Sequence, residues 1–212
     1  MIKILNLYCG IGGNRKFWPD MVNGQKIHIT AIELNPKIAA IYQELYPDDV
    51  VIVADAHQYL LEHYQEFDFI WASPPCQSHS RIRYGFGFRG RRQRFAPLFP
   101  DMKLWQEIVF LNYYAKCDWV VENVIPYYKP LIAPTFQLQR HYFWSNKYVS
   151  KAEFAPDKIR GGTVREYQEK LGIDLSKYTG INKTQTLRNC VAPAVGKYIF
   201  DNFFNESLKT NE

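Results

Sequence analysis

The chain is expected to be an α/β protein built on a mostly parallel sheet with helices on both faces. Three features predict this. Apolar, β-prone runs alternate with amphipathic stretches from the amino terminus to Val124. The runs are short and almost wholly apolar, as strands covered on both faces must be. Finally, the polar residues with chemical potential cluster just after those runs, at what would be the carboxyl ends of strands, where such sheets place their sites.

Ile2 to Tyr8 reads as the first strand and stops at Gly10. Asn14 to Trp18 is expected to open a short helix. His28 to Leu34 reads as a second strand. Pro36 then suits the first turn of a helix running to Leu45, which Pro47 closes. Val50 to Val53 is a further apolar run, and His57 to Tyr64 has helical spacing. Phe67 to Ala72 is a strand ended by Ser73-Pro74-Pro75. Asp101 can cap a helix to about Ala115, with Leu104, Ile108, Leu111 and Tyr114 on one face. Trp119 to Val121 and Arg140 to Trp144 are the last two strands. The stretch from Lys151 to Lys183 is charged and Gly-interrupted and reads as an insert or surface loop, and helical spacing returns from Ala192 to Phe204. The expected division is a catalytic and cofactor-binding domain over 1–150, a small insert over 151–185, and a segment over 186–212 that returns to the first domain.

The 212 residues, 47% hydrophobic, suffice for one such body. The formal charge of +5 only hints at an anionic partner. Its distribution says more. Arg81, Arg83, Arg89, Arg91, Arg92 and Arg94 fall in one run that holds no acid and no Lys. Arginine suits bidentate phosphate contact, so the run reads as facing nucleic acid rather than as a solvated loop. Cys9, Cys76, Cys117 and Cys190 form no C-x-x-C pair, so no metal site is expected. No apolar run is long enough to span a bilayer. A cytoplasmic protein with free thiols is expected.

Asn6-Leu7-Tyr8-Cys9-Gly10-Ile11-Gly12-Gly13 is a strand followed by a glycine turn, which allows close approach of a ligand. A dinucleotide fingerprint fails here, because Arg15 stands where the third glycine belongs. Glu33, 20 residues after Gly13, can accept from both hydroxyls of a ribose, and Asp55 can reach an adenine amino group. Together they describe a nucleoside site without a phosphate clamp, which suits S-adenosylmethionine. In Ser73-Pro74-Pro75-Cys76-Gln77 the prolines stiffen the turn that aims Cys76, and nearby arginines favour its thiolate. Glu122-Asn123-Val124 follows the next strand and brings an acid to the same sheet edge, where a pocket can keep it protonated.

At these motifs the sequence resembles the DNA cytosine-5 methyltransferase family. Those that match are Leu7 to Gly13, Glu33, Asp55, Pro75-Cys76-Gln77, Glu122-Asn123-Val124, Gln139-Arg140-His141-Tyr142 and Asn189-Cys190-Val191, in the family's order from about Ile4 to Ile199. The resemblance implies a Rossmann-like S-adenosylmethionine-dependent fold with a reduced target-recognition insert. It implies catalytic roles for Cys76, Glu122 and Arg140: attack on C6 of a flipped-out cytosine, protonation at N3 and binding of O2. It places Tyr8, Gly10, Gly12, Gly13, Glu33, Asp55, Pro74, Asn189 and Val191 at the cofactor, and Ser80 with the six arginines at double-stranded DNA. It further implies a monomer without metal or membrane attachment, nucleoid-associated when bound to DNA, in a role such as restriction-modification. The chain departs from the family at Asn6, where an Asp is common, and at Leu138, where the first arginine of Gln-x-Arg-x-Arg is missing. Glu122 and Arg140 are only 18 residues apart, and the insert before Asn189 is short. An RNA cytosine-5 methyltransferase, an amino-methyltransferase and a non-catalytic DNA-binding relative remain open alternatives.

Overall fold

The computed structural model describes residues 1–81, 96–155 and 162–204. Its centre is a single sheet. Strand β1 (Ile2–Leu7) pairs in parallel with β3 (Gln25–Glu33) on one side and with β5 (Phe69–Ala72) on the other. Strand β4 (Val50–Val53) extends the sheet beyond β3, and β6 (Asp118–Val124) beyond β5, all parallel. Strands β7 (Phe136–Leu138) and β8 (His141–Ser145) complete the far edge antiparallel, and β2 (Met21–Val22) is a short antiparallel partner at the start of β3.

The chain runs outward from β1 through β3 and β4, then returns to build β5 and β6 on the opposite side. The direction of winding therefore reverses between β1 and β5. Loops leaving adjacent strands in opposite senses part there and open a crevice. The loops that part are Tyr8 to Gly13 after β1 and Ser73 to Ser80 after β5.

Alternation along the strands explains the two-faced core. Ile4, Phe69, Trp71 and Val120 point to one face and pack against helix α6 (Pro193–Phe204) through Val195, Ile199, Phe200 and Phe203. Leu5, Leu7, Ile70, Ala72 and Val121 point to the other. There they meet Ala56 and Leu60 of helix α2 (Ala56–His63) and Leu104, Trp105, Ile108 and Leu111 of helix α3 (Lys103–Tyr114). Helix α1 (Pro36–Leu45) starts as its sequence dictates: the Asn35 side chain caps it and Pro36 occupies the first turn.

Four expectations need correction. Asn14 to Trp18 is a series of tight turns, not a helix: Arg15 N donates to Gly12 O and Trp18 N to Arg15 O. The Arg15 side chain is buried and forks onto both oxygens of Asp49, at 3.1 and 3.2 Å, and this anchor holds the turns. The fifth parallel strand runs on to Val124, so Glu122 and Asn123 lie within the strand, paired opposite Phe143 and Tyr142 of β8. Asp101 accepts from Lys103 N but sits before the first turn rather than at the cap itself, which is Met102. The segment after Lys151 contains helix α4 (Val164–Leu171), started by a Thr163–Glu166 capping box and closed by Gly172 at φ 63°. Tyr167 and Leu171 of α4 are buried with Ile11 and Ile41. A short helix α5 (Lys183–Arg188) leads into the Asn189 motif.

Candidate active site

The crevice is a cavity of about 660 Å³. Its lining joins Tyr8 to Ile11, Gly13, Glu33 and Asp55 at one end to Pro74, Cys76, Glu122 and Arg140 at the other, with Arg188, Asn189, Cys190 and Val191 alongside. Most of the candidates read from the sequence thus share one space, although they come from seven separate segments. Gly12 does not line it. Its backbone at φ 73° turns its carbonyl to accept from the Tyr46 hydroxyl, and a Cβ there would lie 2.3 Å from the Tyr46 ring. Gly13 lets the loop lie flat on the carboxyl-terminal segment, where a Cβ would come 2.7 Å from Cys190 Cβ.

At the β1 end the acids are already engaged. Glu33 accepts from Gly10 N at 3.1 Å and from Asn35 N at 2.8 Å. Asp55 caps α2 by accepting from His57 N and Gln58 N, and its other oxygen lies 3.2 Å from Lys103 Nζ. Burial raises the Asp55 carboxyl, but these donors outweigh it and hold the group below its ordinary range. Tyr8 sits at φ 55° and donates its hydroxyl to Glu107, a buried acid of α3 that also meets His57 Nδ1 at 2.8 Å. Burial, with that carboxylate beside it, pushes the Tyr8 hydroxyl far up.

At the β5–β6 end Glu122 is buried and Cys76 and Arg140 are half-buried. Burial raises Glu122 to about 7, against the pull of the Ser73 hydroxyl and Arg140. Burial and the neighbouring Glu122 raise Cys76 to about 11, against Arg140 and Arg188. The expectation that arginines would leave Cys76 with thiolate character is corrected: they pull in that direction, but desolvation of the sulfur and a facing carboxylate prevail. Arg140 is aimed by the Arg188 carbonyl, which accepts from its Nη2 at 3.0 Å. The Cys76 turn is locked through its carbonyl, which accepts from His79 N and Ser80 N, while the Pro74 carbonyl accepts from Asn123 Nδ2 at 2.9 Å.

Ser80 bridges to Pro126, and Arg81 is exposed with its Nε donating to the Pro126 carbonyl at 3.0 Å. Arg83, Arg89, Arg91, Arg92 and Arg94 lie outside the described residues. Among the described residues no group of three or more His, Cys, Asp or Glu is placed to hold a metal, and no helix is long and apolar enough to cross a membrane.

Glu107, His141 and Arg188 also belong to the site, although no role for them is read from the sequence. Glu107 was detectable as an acid between Leu104 and Ile108 on the apolar stripe of α3. His141 lies within the Gln139-Arg140-His141-Tyr142 motif and Arg188 immediately precedes the Asn189 motif, but only the fold shows that they face the cavity.

The family model for C-5 cytosine-specific DNA methylases matches residues 2–111, more than half of the chain. The protein belongs to this family. A C-5 cytosine methylase is a methyltransferase, and the Rossmann-like sheet agrees with that membership. The match holds the glycine turn, both engaged acids and Cys76 but ends before Glu122, Arg140 and Asn189. No curated protein matches the chain. Among solved structures, the methyltransferase EhMeth of Entamoeba histolytica aligns over 98% of this chain and 99% of its own, with 11% identity and a TM-score of 0.57. That likeness is one of fold. A DNMT2 triple mutant from Spodoptera frugiperda aligns over 58% of this chain at 25% identity and a TM-score of 0.38; the aligned part is 36% of that protein.

Proposed function

We propose that this methylase transfers a methyl group from S-adenosylmethionine to carbon 5 of a cytosine flipped out of double-stranded DNA, through a covalent Cys76 adduct. The observation that carries the reading is the shared cavity, with an engaged carboxylate at one end and a half-buried thiol beside a buried acid at the other. The cofactor fits the first end. Glu33 is held in place to accept from ribose hydroxyls, and nothing lies within 4 Å of where a Gly10 Cβ would project, so the turn leaves room for a ligand. Tyr8, Gly10, Gly13, Glu33 and Asp55 would hold the nucleoside, with Pro74, Asn189 and Val191 toward the reacting end. Gly12 acts behind them by shaping the turn. When bound, S-adenosylmethionine supplies a methyl group on a positively charged sulfur.

The chain's own residues then divide the work. Cys76 gives its proton to solvent water and its thiolate forms an S–C6 bond with the cytosine. Glu122 gives its proton to N3 as the ring electrons move, and Arg140 binds O2. The ring, now enamine-like, is nucleophilic at C5, which covalent addition makes possible. After C5 gains the methyl group, solvent water takes the C5 proton, the S–C6 bond breaks to release the Cys76 thiolate, and Glu122 recovers its proton from N3. Reaching the ring requires base flipping, which the Arg81 to Arg94 run would support through phosphate contact. The 151–185 segment is the proposed recognition insert, and the enzyme would act as a monomer in the cytoplasm.

The test is covalent capture. Duplex DNA carrying 5-fluorocytosine should trap the protein, because fluorine cannot leave as the proton does. Cys76→Ser should abolish capture and methylation. A parallel assay on tRNA decides the nucleic acid. N4-methylcytosine in the product, or full activity of Cys76→Ser, would refute the mechanism. Exchanging Arg89, Arg91 and Arg92 for Ala should lower the log–log salt slope of DNA binding by about 0.9 for each phosphate that is no longer neutralised.

A further inference from the structure

His141 opens β8 and lies diagonally across from Glu122 on the antiparallel β6–β8 pair, since it is registered with Val124. Diagonal neighbours on one sheet face are close enough for long side chains to meet. Here they do: His141 Nε2 is 3.4 Å from Glu122 Oε1, and both residues are buried, 3% and 6% exposed. Both line the cavity beside Cys76. A buried carboxyl cannot change its charge cheaply without a partner that answers the change.

We propose that His141 is a positioning residue for the reaction's acid: its neutral imidazole presents Nε2–H to one oxygen of Glu122 while the other oxygen carries the proton destined for the substrate ring. In the step, the O–H bond of Glu122 breaks and an N–H bond forms at the ring nitrogen. The negative charge left on Glu122 is then met by the Nε2–H of His141 on one side and by Arg140 on the other. When the adduct collapses, the proton returns along the same path and His141 is unchanged. His141 thus fixes which oxygen faces the substrate and keeps the ionised acid tolerable in a dry site. Burial raises Glu122 to about 7, which leaves the acid poised to be swayed by such a donor. The other groups bearing on the pair are Ser73 and Cys76 from the turn after β5, Arg140 at the start of β8, and Arg188 from α5, which acts on Cys76.

This inference rests on the proposed reaction for its catalytic meaning, so the experiment has two arms. The first needs no substrate. The infrared difference spectrum between each protein and its Glu122→Gln counterpart isolates the protonated carboxyl of Glu122, and its pH midpoint is followed in the free protein. Losing the N–H donor disfavours the carboxylate, so His141→Phe should move the midpoint upward by about one pH unit or more. His141→Gln, which keeps an N–H donor, should stay near wild type. If His141→Phe does not fold, His141→Asn, with a shorter amide, is read the same way. An unmoved midpoint, or a Gln variant that behaves like Phe, overturns the proposal. The second arm measures methyl transfer to unmethylated duplex DNA: His141→Phe should lower kcat about ten- to a hundredfold, with KM little changed, and His141→Gln should recover most of it. If wild-type protein methylates no DNA, the proposed reaction fails while the infrared arm still decides the role of His141.

Discussion

The two ends of the cavity handle their acids in opposite ways. At the β1–β3–β4 end, Glu33 and Asp55 are only partly buried, and each accepts from backbone N–H groups or Lys103. At the β5–β6–β8 end, Glu122 is deeply buried, meets side chains only, and titrates near 7. The difference follows from position. The first two acids terminate strands and precede helices, where free backbone donors are abundant. Glu122 lies inside a strand, where the backbone donors are spent on the sheet. A carboxylate that must bind a ligand benefits from being permanently ionised and fixed. One that must give and take a proton needs a charge state that surroundings have left unsettled.

The sharpest test of this contrast is Glu122→Gln. Methyl transfer should fall by roughly 10²–10⁴-fold while DNA binding persists, because an acid is lost and its shape kept. Wild-type transfer should rise with pH as Cys76 thiolate forms and level off above about 7, where each gain in thiolate is offset by loss of the Glu122 proton, and the variant's residual activity should keep rising past that point. Stability should move the other way. The folded carboxyl resists ionisation that the unfolded one, near 4.5, accepts freely. The cost therefore grows as pH rises from 4.5 through 7, and the variant should be more stable than wild type by about 3 kcal/mol at pH 8, with no gain at pH 4. Denaturant unfolding at both pH values checks the sign; equal stabilities at pH 8 would remove the contrast.

Glu33→Ala should weaken S-adenosylmethionine binding by about 1.5–3 kcal/mol, the scale of hydrogen bonds to a charged group. Calorimetry showing unchanged affinity would take Glu33 out of the site. The glycine turn separates shape from contact. Gly12→Ala should destabilise the fold by about 1–2 kcal/mol from its left-handed backbone alone, and further through the clash with Tyr46. Gly10→Ala meets no neighbouring atom, so it should cost only the backbone strain while its methyl group intrudes on the cavity and lowers cofactor affinity. Thermal melts and calorimetry on the two variants should therefore rank them in opposite orders. The smallest effect is expected for Lys103→Met. Its ion pair with Asp55 is about half exposed on both sides, so stability should change by roughly 1 kcal/mol or less, leaving Asp55 held by its cap.

Much of this architecture was legible before folding. The alternation of apolar runs determined the sheet and the two-faced core, because strands that are covered on both sides have no polar alternative. The chemical residues were readable from the motifs at Gly10 and Cys76, since strand ends must be followed by turns of restricted composition, and from Glu122-Asn123-Val124, although that motif lies within β6. Helix α4 was missed although Thr163 and Glu166 announce its start, because the charged, Gly-interrupted stretch around it hides a buried face only two side chains wide. What no local pattern could supply is which distant residues meet. Arg15 reads as a solvated cation until Asp49 arrives beside it, 34 residues on. His141 is one motif residue among four until the antiparallel register brings it to Glu122. The charge state of Cys76 depends on burial and on a facing carboxylate, and both arise only when β6 and β8 close over the turn. Sequence determined the residue types and their order along the chain; tertiary structure decided their protonation, because desolvation and proximity are properties of the assembled site.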